Sequence, residues 1–197
     1  MQRRRTPVTV LKELQNDWDK AIGEGTGRLT QIANALQKAT YADGESWGIL
    51  MDATGLHNQL RQKLQREAHQ VKRNLEALID RLAAIVGCMR HTCFFEAMPT
   101  IETVVLDSDP TTTLSKFQYE SILQELVLMY EREIMAKALI VDDILDCTGH
   151  DAALLYIAAW QMQPFVDKTR QAELFALLAL DANPKKLAAN ASHKLVR

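Results

Sequence analysis

The chain has 197 residues, of which 47% are hydrophobic and 24% charged, and its formal net charge at pH 7 is -2. This length suits one domain with a sizeable core and is too short for two large domains. The nearly neutral charge excludes a general electrostatic attraction to nucleic acid. Only 8 Gly and 5 Pro are present, which favours long helices over many turns.

Cysteine usage and hydropathy indicate a reducing compartment and no membrane segment. Three cysteines, an odd number, occur without a recognisable secretory leader, which argues against a disulfide framework. The longest apolar run, Leu174 to Leu180, is far shorter than the roughly 20 residues that cross a bilayer. We therefore expect a cytosolic or nuclear protein.

The first helical pattern has the three- and four-residue spacing of a coiled-coil seam. Its seam residues are Leu11, Leu14, Trp18, Ile22, Gly25, Leu29, Ile32, Leu36 and Ala39. Gly23, Gly25 and Gly27 interrupt it, and each Gly costs about 1 kcal/mol relative to Ala in a helix. The glycines predict either a bend or a close approach of another helix, and their spacing alone does not separate the two.

A second helix is predicted from Trp47 to Cys93 after a break at Tyr41 to Gly44. One apolar face runs along it, formed by Leu56, Leu60, Leu64, Ala68, Val71, Leu75, Leu78, Leu82, Ile85 and Met89. A helix of this length needs a long partner, and the short connection predicts an antiparallel pairing with the first helix. Lys72 to Leu75 has the basic-x-Leu spelling of a cyclin-docking peptide, but Leu75 lies on the seam, which favours core burial.

The C-terminal part predicts three further helices. Asp109, Thr113 or Ser115 can start the third, and Thr148-Gly149 follows its end. Its apolar face holds Leu126, Tyr130, Ile134, Ala138, Val141 and Leu145. The fourth begins at His150 or Asp151, is apolar nearly all round, and stops at Pro164. Such a helix is expected to be covered on several sides, and a last helix from Asp167 to Leu180 suits that purpose.

These patterns predict an all-α fold, an elongated antiparallel helical hairpin with a C-terminal helical cap. The predicted organisation is a flexible basic N-terminus at 1–7, a single helical domain at 8–182 and a flexible tail at 183–197. Within the domain, 8–94 form the coiled-coil hairpin, 95–112 a linker and 113–182 the C-terminal helices.

Several short motifs occur in order between Lys116 and Leu180 and resemble the C-terminal half of the cyclin-dependent kinase 2-interacting protein family. They are Met129-Tyr130-Glu131-Arg132-Glu133, Thr148-Gly149, Leu155-Tyr156, Trp160 and Gln163-Pro164-Phe165-Val166. Asn16-Asp17-Trp18 and Ile32-Ala33-Asn34 are similar to that family's first helix.

The resemblance implies a non-enzymatic nuclear adaptor. Its implied associations are replication and cell-cycle kinases, DNA damage checkpoint signalling, and an AAA-type ATPase complex linked to ribosome biogenesis and replisome turnover. It brings no catalytic residue, cofactor or metal.

Two sets of side chains offer alternative chemistry. Asp142, Asp143 and Asp146 lie at helical offsets that can converge on magnesium, as in all-helical prenyl-diphosphate enzymes, but no second ligand set faces them in the sequence. Cys88, His91 and Cys93, with Cys147 or His150, lack the paired spacing of a zinc site, which favours buried thiols. A solvated acidic face is the simpler interpretation of the aspartates.

We expect no enzyme and no cofactor, and an adaptor that bridges protein partners. The aromatic side chains Tyr130, Tyr156, Trp160 and Phe165 have two interpretations, a core role or a partner-binding role. With Pro164 they form the predicted protein-binding site, in which Phe165 is the residue best placed for presentation. A self-assembling structural coiled coil is the alternative function.

Overall fold

The computed structural model describes residues 6–42, 47–95, 114–147 and 150–181. Within these ranges it contains five α-helices, one short 3-10 helix and no strand, which confirms the all-α class. The α-helices are α1 (Pro7–Ala42), α2 (Leu56–Phe95), α3 (Lys116–Asp143), α4 (His150–Met162) and α5 (Lys168–Asp181), and the 3-10 helix is Gly48–Asp52.

The chain divides into two compact units, whose boundaries fall inside α1, α2 and α3. Unit 1 comprises Met1–Asp17, Ala84–Arg132 and Phe165–Arg197, and unit 2 comprises Trp18–Ala83 and Glu133–Pro164. Each of the three long helices therefore contributes one segment to each unit. Helix α4 belongs to unit 2 and α5 to unit 1.

In unit 2, α1 and α2 form the predicted antiparallel pair. Arg81 donates to Glu24 at 2.8 Å, and Arg28 donates to the backbone carbonyl of Asn74, so the partner number on α2 falls as the number on α1 rises. Many of the seam side chains are fully buried, including Trp18, Leu29, Ile32, Leu75 and Leu82, whereas Leu60 of the predicted seam is exposed. The predicted core role of Leu75 is thus confirmed.

The predicted start of the second helix at Trp47 is wrong. Gly48 and Gly55 have φ angles of +54° and +79°, a left-handed conformation that glycine adopts readily and that interrupts an α-helix. A 3-10 helix occupies the interval, and α2 begins at Leu56.

Helices α3 and α5 each begin with a capping side chain, and that of α3 is Ser115, one of the three alternatives that the sequence offers. Ser115 Oγ accepts from the Gln118 amide at 3.2 Å, and Gln118 Oε1 accepts from the Ser115 amide at 2.9 Å, which is a reciprocal capping box. Asp167 Oδ1 accepts from the amides of Thr169 and Arg170, each at 2.9 Å. The carboxylate also complements the positive end of the helix dipole.

Helix α4 departs from expectation because one side of it is uncovered. Ala153 and Trp160 are buried, whereas Leu154, Leu155 and Met162 are 48%, 66% and 78% exposed. A helix with apolar residues all round can bury only the face that meets its neighbours, and in unit 2 that face is centred on Trp160.

Parts of the predicted organisation fall outside the described residues. Of the predicted N-terminal segment only Thr6 and Pro7 are described, and of the predicted linker only Phe95. The tail at 183–197 lies wholly outside. The domain boundaries therefore stay predictions. None of the helices in the described ranges has both the length and the apolar character that crossing a membrane requires.

Candidate functional site

The predicted protein-binding residues are divided between the two units. Tyr130 and Phe165 belong to unit 1, and Tyr156, Trp160 and Pro164 to unit 2. Tyr130 and Trp160 are 2% and 0% exposed, whereas Phe165 is 48% exposed. Tyr156 is half-buried and Pro164 is exposed. Phe165 is therefore the predicted anchor that the structure presents to solvent.

A buried ion pair lies beside Trp160 in unit 2. Lys137 Nζ is 2.6 Å from Glu133 Oε1, and neither side chain has any exposed surface. Lys137 Nζ also donates to the Trp160 carbonyl at 2.8 Å, and it lies 4.8 Å from the centre of the indole ring. The ammonium group is thus surrounded by a carboxylate, a carbonyl and an aromatic face, which together compensate its removal from water.

The other side of the Trp160 indole contacts α1. Its Nε1 donates to the Ile22 carbonyl at 2.9 Å. A Cβ atom added at Gly25 would overlap the indole ring, so the ring approaches α1 as closely as a backbone without a side chain permits. This contact favours the close-approach interpretation of the glycine cluster, and α1 continues as one helix from Pro7 to Ala42.

The end of α4 is fixed by Gln163. Its φ angle is +49°, a left-handed conformation that costs a non-glycine residue about 1–2 kcal/mol. Its side-chain oxygen accepts from Trp18 Nε1 at 2.8 Å in a buried site. This hydrogen bond helps to hold the conformation that ends the helix before Pro164.

Sequence reasoning missed the role of Glu133 and Lys137. The predicted apolar face of α3 passed through Ile134 and Ala138, which are only half-buried, and charged residues were assigned to the solvent. The available signal was the spacing of four residues between a Glu and a following Lys among apolar neighbours, a spacing that brings the two side chains together on a helix.

Tyr130 belongs to a buried polar network in unit 1. Gln171 Nε2 donates to its hydroxyl group, and Gln15 Nε2 donates to Gln171 Oε1 at 3.1 Å. The network connects α1, α3 and α5. Tyr130 thus helps to hold these three helices together in the interior of unit 1.

Of the aspartates in the magnesium alternative, Asp143 has a protein partner for its carboxylate. The Tyr156 hydroxyl donates to Asp143 Oδ2, and this hydrogen bond raises the pKa of Tyr156 above its usual value. Lys72 Nζ donates to the Asp142 carbonyl at 2.8 Å. Asp142, Asp143 and Asp146 are all exposed. Among the described residues no group of three His, Cys, Asp or Glu side chains is arranged to hold a metal ion.

The cysteines of the zinc alternative differ in exposure. Cys93 is buried, Cys147 is intermediate and Cys88 is exposed. Burial raises the pKa of the Cys93 thiol to about 12. The expectation of buried thiols is confirmed for Cys93 and wrong for Cys88, which lies on the solvent side of α2.

Phe165 lines a groove of about 500 Å³ in unit 1, here called the Phe165 groove. Its lining residues are Ser121, Gln124, Glu125, Leu128, Met129, Arg132 and Phe165. Arg170 forms a two-pronged hydrogen bond with Glu125, at 2.7 Å from Nε and 2.9 Å from Nη2. This hydrogen bond holds the pKa of the Glu125 carboxyl below its usual value. The groove thus combines three apolar side chains, Leu128, Met129 and Phe165, with polar side chains and a carboxylate that is already paired.

Comparison with known proteins gives a distant match to a curated protein. No family model matches the chain. Over 120 residues the chain is 27% identical to the cyclin-dependent kinase 2-interacting protein of Xenopus laevis, and the match covers 59% of this chain and 56% of that protein. The chain therefore spans little more than half of that curated relative. The match supports a suspected relationship to that family.

Proposed function

We propose that the protein is a non-enzymatic adaptor that binds a protein partner through the Phe165 groove. The exposed ring of Phe165 carries the proposal. Phe165 lies beside Leu128, and the two side chains are 48% and 40% exposed in a groove of about 500 Å³. Aromatic side chains supply large contact areas at low entropic cost and often dominate interface energetics.

The charges of the Phe165 groove indicate what kind of segment it receives. Glu125 is engaged by Arg170, whereas the exposed Arg132 forms no ion pair within the described part of the chain. A guanidinium group recognises a carboxylate through two parallel hydrogen bonds. A partner segment with an apolar side chain for Phe165 and a carboxylate for Arg132 fits the groove.

The name of the relative supplies the first partner to test. The Xenopus protein is described as interacting with cyclin-dependent kinase 2, and we extend that interaction to this chain as part of the proposal. The family resemblance further supports a nuclear location and roles in DNA replication, cell-cycle checkpoints and ribosome biogenesis, with an AAA-type ATPase complex as a second partner.

Binding of immobilised full-length chain to cyclin-dependent kinase 2 tests the proposal. The Phe165→Ala variant should bind at least about tenfold more weakly, since an aromatic hot-spot residue contributes about 2 kcal/mol or more to an interface. Phe117→Ala is the matched control, because Phe117 is 80% exposed in the same unit and does not line the groove.

Three results decide between the parts of the proposal. Weakening by Phe165→Ala alone, with an unchanged melting temperature, supports the groove. Equal affinities of Phe165→Ala and wild type would exclude the groove as the kinase site. Absence of binding by the wild-type chain would overturn the kinase as partner. The AAA-type ATPase complex would then be tested as the partner in the same assay, with the same two variants.

A further inference from the structure

Unit 2 exposes five large apolar side chains on two helices. On α3, Met135 and Leu139 are each 69% exposed. On α4, Leu154, Leu155 and Met162 are exposed to between 48% and 78%. Exposed apolar side chains that occur singly are normal, but several on adjacent helices indicate an interaction surface.

The two apolar rows lie on helices that are tied together. Tyr156 on α4 donates to Asp143 on α3, and Lys137 on α3 donates to the Trp160 carbonyl. Met135 and Leu139 share a face of α3 because they are four residues apart. On α4, Leu155 and Met162 are seven residues apart, which is two helical turns. We call Met135, Leu139, Leu155 and Met162 the α3–α4 face.

Acidic side chains mark one end of the α3–α4 face. Asp142 follows Leu139 after three residues, on the same side of α3, and Asp151 precedes Leu155 by four residues on α4. Both aspartates are exposed.

We propose that the α3–α4 face binds an amphipathic helix of a partner protein that carries basic residues at one end. Two parallel apolar rows on adjacent helices receive the apolar stripe of a third helix, as in helix-in-groove recognition. The aspartates attract the basic end and thereby set the direction in which the helix lies. This surface is separate from the Phe165 groove, and the inference does not rest on the kinase as partner.

A synthetic peptide serves as the probe. It is a fluorescein-labelled helix of about five turns, roughly 27 Å long, with a leucine stripe and a cluster of lysines at one end. A second peptide has glutamates in place of the lysines. Fluorescence anisotropy with the full chain should show the lysine peptide binding at least about tenfold more tightly, a preference that decreases as salt is added.

Two sets of variants locate the binding site. Leu139→Ser/Leu155→Ser should weaken binding of the lysine peptide at least about tenfold, because it removes the centre of the apolar face. Ile49→Ser is the matched control, since Ile49 is 87% exposed elsewhere in unit 2. This variant should bind the lysine peptide as tightly as wild type. Asp142→Asn/Asp151→Asn should keep the apolar contact but abolish the preference for lysine over glutamate.

The inference is overturned if both peptides bind equally to the wild-type chain, or if Leu139→Ser/Leu155→Ser binds as tightly as wild type. It is also overturned if sedimentation velocity shows a concentration-dependent dimer that this double variant abolishes, because the face would then belong to a second copy. The Phe165→Ala chain should bind the lysine peptide normally, so failure here and failure of the Phe165 groove are distinguishable.

Discussion

At the scale of single residues, Lys137 and Glu133 form an ion pair without any exposed surface. Removing two charges from water is costly, and their attraction offsets that cost only when the remaining hydrogen-bonding groups also find partners. Here the Trp160 carbonyl and ring supply further contacts to the ammonium group. The pair is thus conditional on the position of α4, because Trp160 comes from that helix.

Breaking this pair from one side should be far more harmful than replacing both charges. Lys137→Met leaves the Glu133 carboxylate buried without its cation, and we expect a loss of about 3–5 kcal/mol in the free energy of unfolding. Glu133→Leu/Lys137→Met should lose less, because no charge stays buried. Urea denaturation measures both, and a double variant less stable than Lys137→Met would contradict this account.

The Cys93 thiol should make stability sensitive to alkaline pH. Its pKa rises from 9.0 to about 12 on folding, so the folded chain retains a proton that the unfolded chain loses. The stabilisation is fully present below pH 9.0 and disappears as the pH rises towards 12.

The measurement is the free energy of unfolding as a function of pH. Above the unfolded pKa, wild type should lose up to about 1.4 kcal/mol per pH unit more than Cys93→Ala, which lacks the group. Parallel pH profiles of the two chains would show that Cys93 ionises equally in the folded and unfolded states.

The sequence identified the exposed aromatic residue correctly but not the buried charges. Phe165 follows a helix-ending proline, and that position predicted presentation to solvent. Hydropathy assigns Glu133 and Lys137 to the surface, since charged residues are rarely buried. Their burial depends on contacts with Trp160, 23 residues beyond Lys137 in the chain, which helical periodicity does not reveal.

At the scale of elements, the start of a helix was predictable where the apolar periodicity and a capping residue indicated the same position. The capping groups of Ser115 and Asp167 fixed the starts of α3 and α5. The start of α2 was misplaced because Gly48 and Gly55 adopt left-handed conformations. A glycine in a sequence does not disclose which conformation it adopts.

The approach of α4 to α1 makes the three glycines of α1 differ in their tolerance of a methyl group. An added Cβ at Gly25 would overlap Trp160, whereas one at Gly23 or Gly27 would have no neighbouring atom within 4 Å. Gly25→Ala should therefore destabilise the chain by about 1–3 kcal/mol through overpacking.

Gly23→Ala and Gly27→Ala are the matched controls. Each should stabilise the chain by about 0.5–1 kcal/mol, because alanine reduces the entropy lost when a helix forms. Chemical denaturation of the three variants gives the comparison. A stabilising Gly25→Ala would show that the indole does not lie against this part of α1.

At the scale of the whole molecule, the sequence predicted the helical class and the antiparallel pairing of α1 with α2. Both follow from long apolar seams joined by a short connection. The exposed side of α4 was not predictable, because composition shows that a helix is apolar all round but not which neighbours cover it. Leu155 and Met162 are exposed for that reason.

The distribution of tryptophan gives unit 2 an optical signal of its own. Trp18, Trp47 and Trp160 all belong to unit 2, and Trp18 and Trp160 are fully buried. Indole emission therefore follows the loosening of unit 2, while circular dichroism follows the helices of both units. Whether the two curves coincide is a direct measure of how cooperatively the chain unfolds.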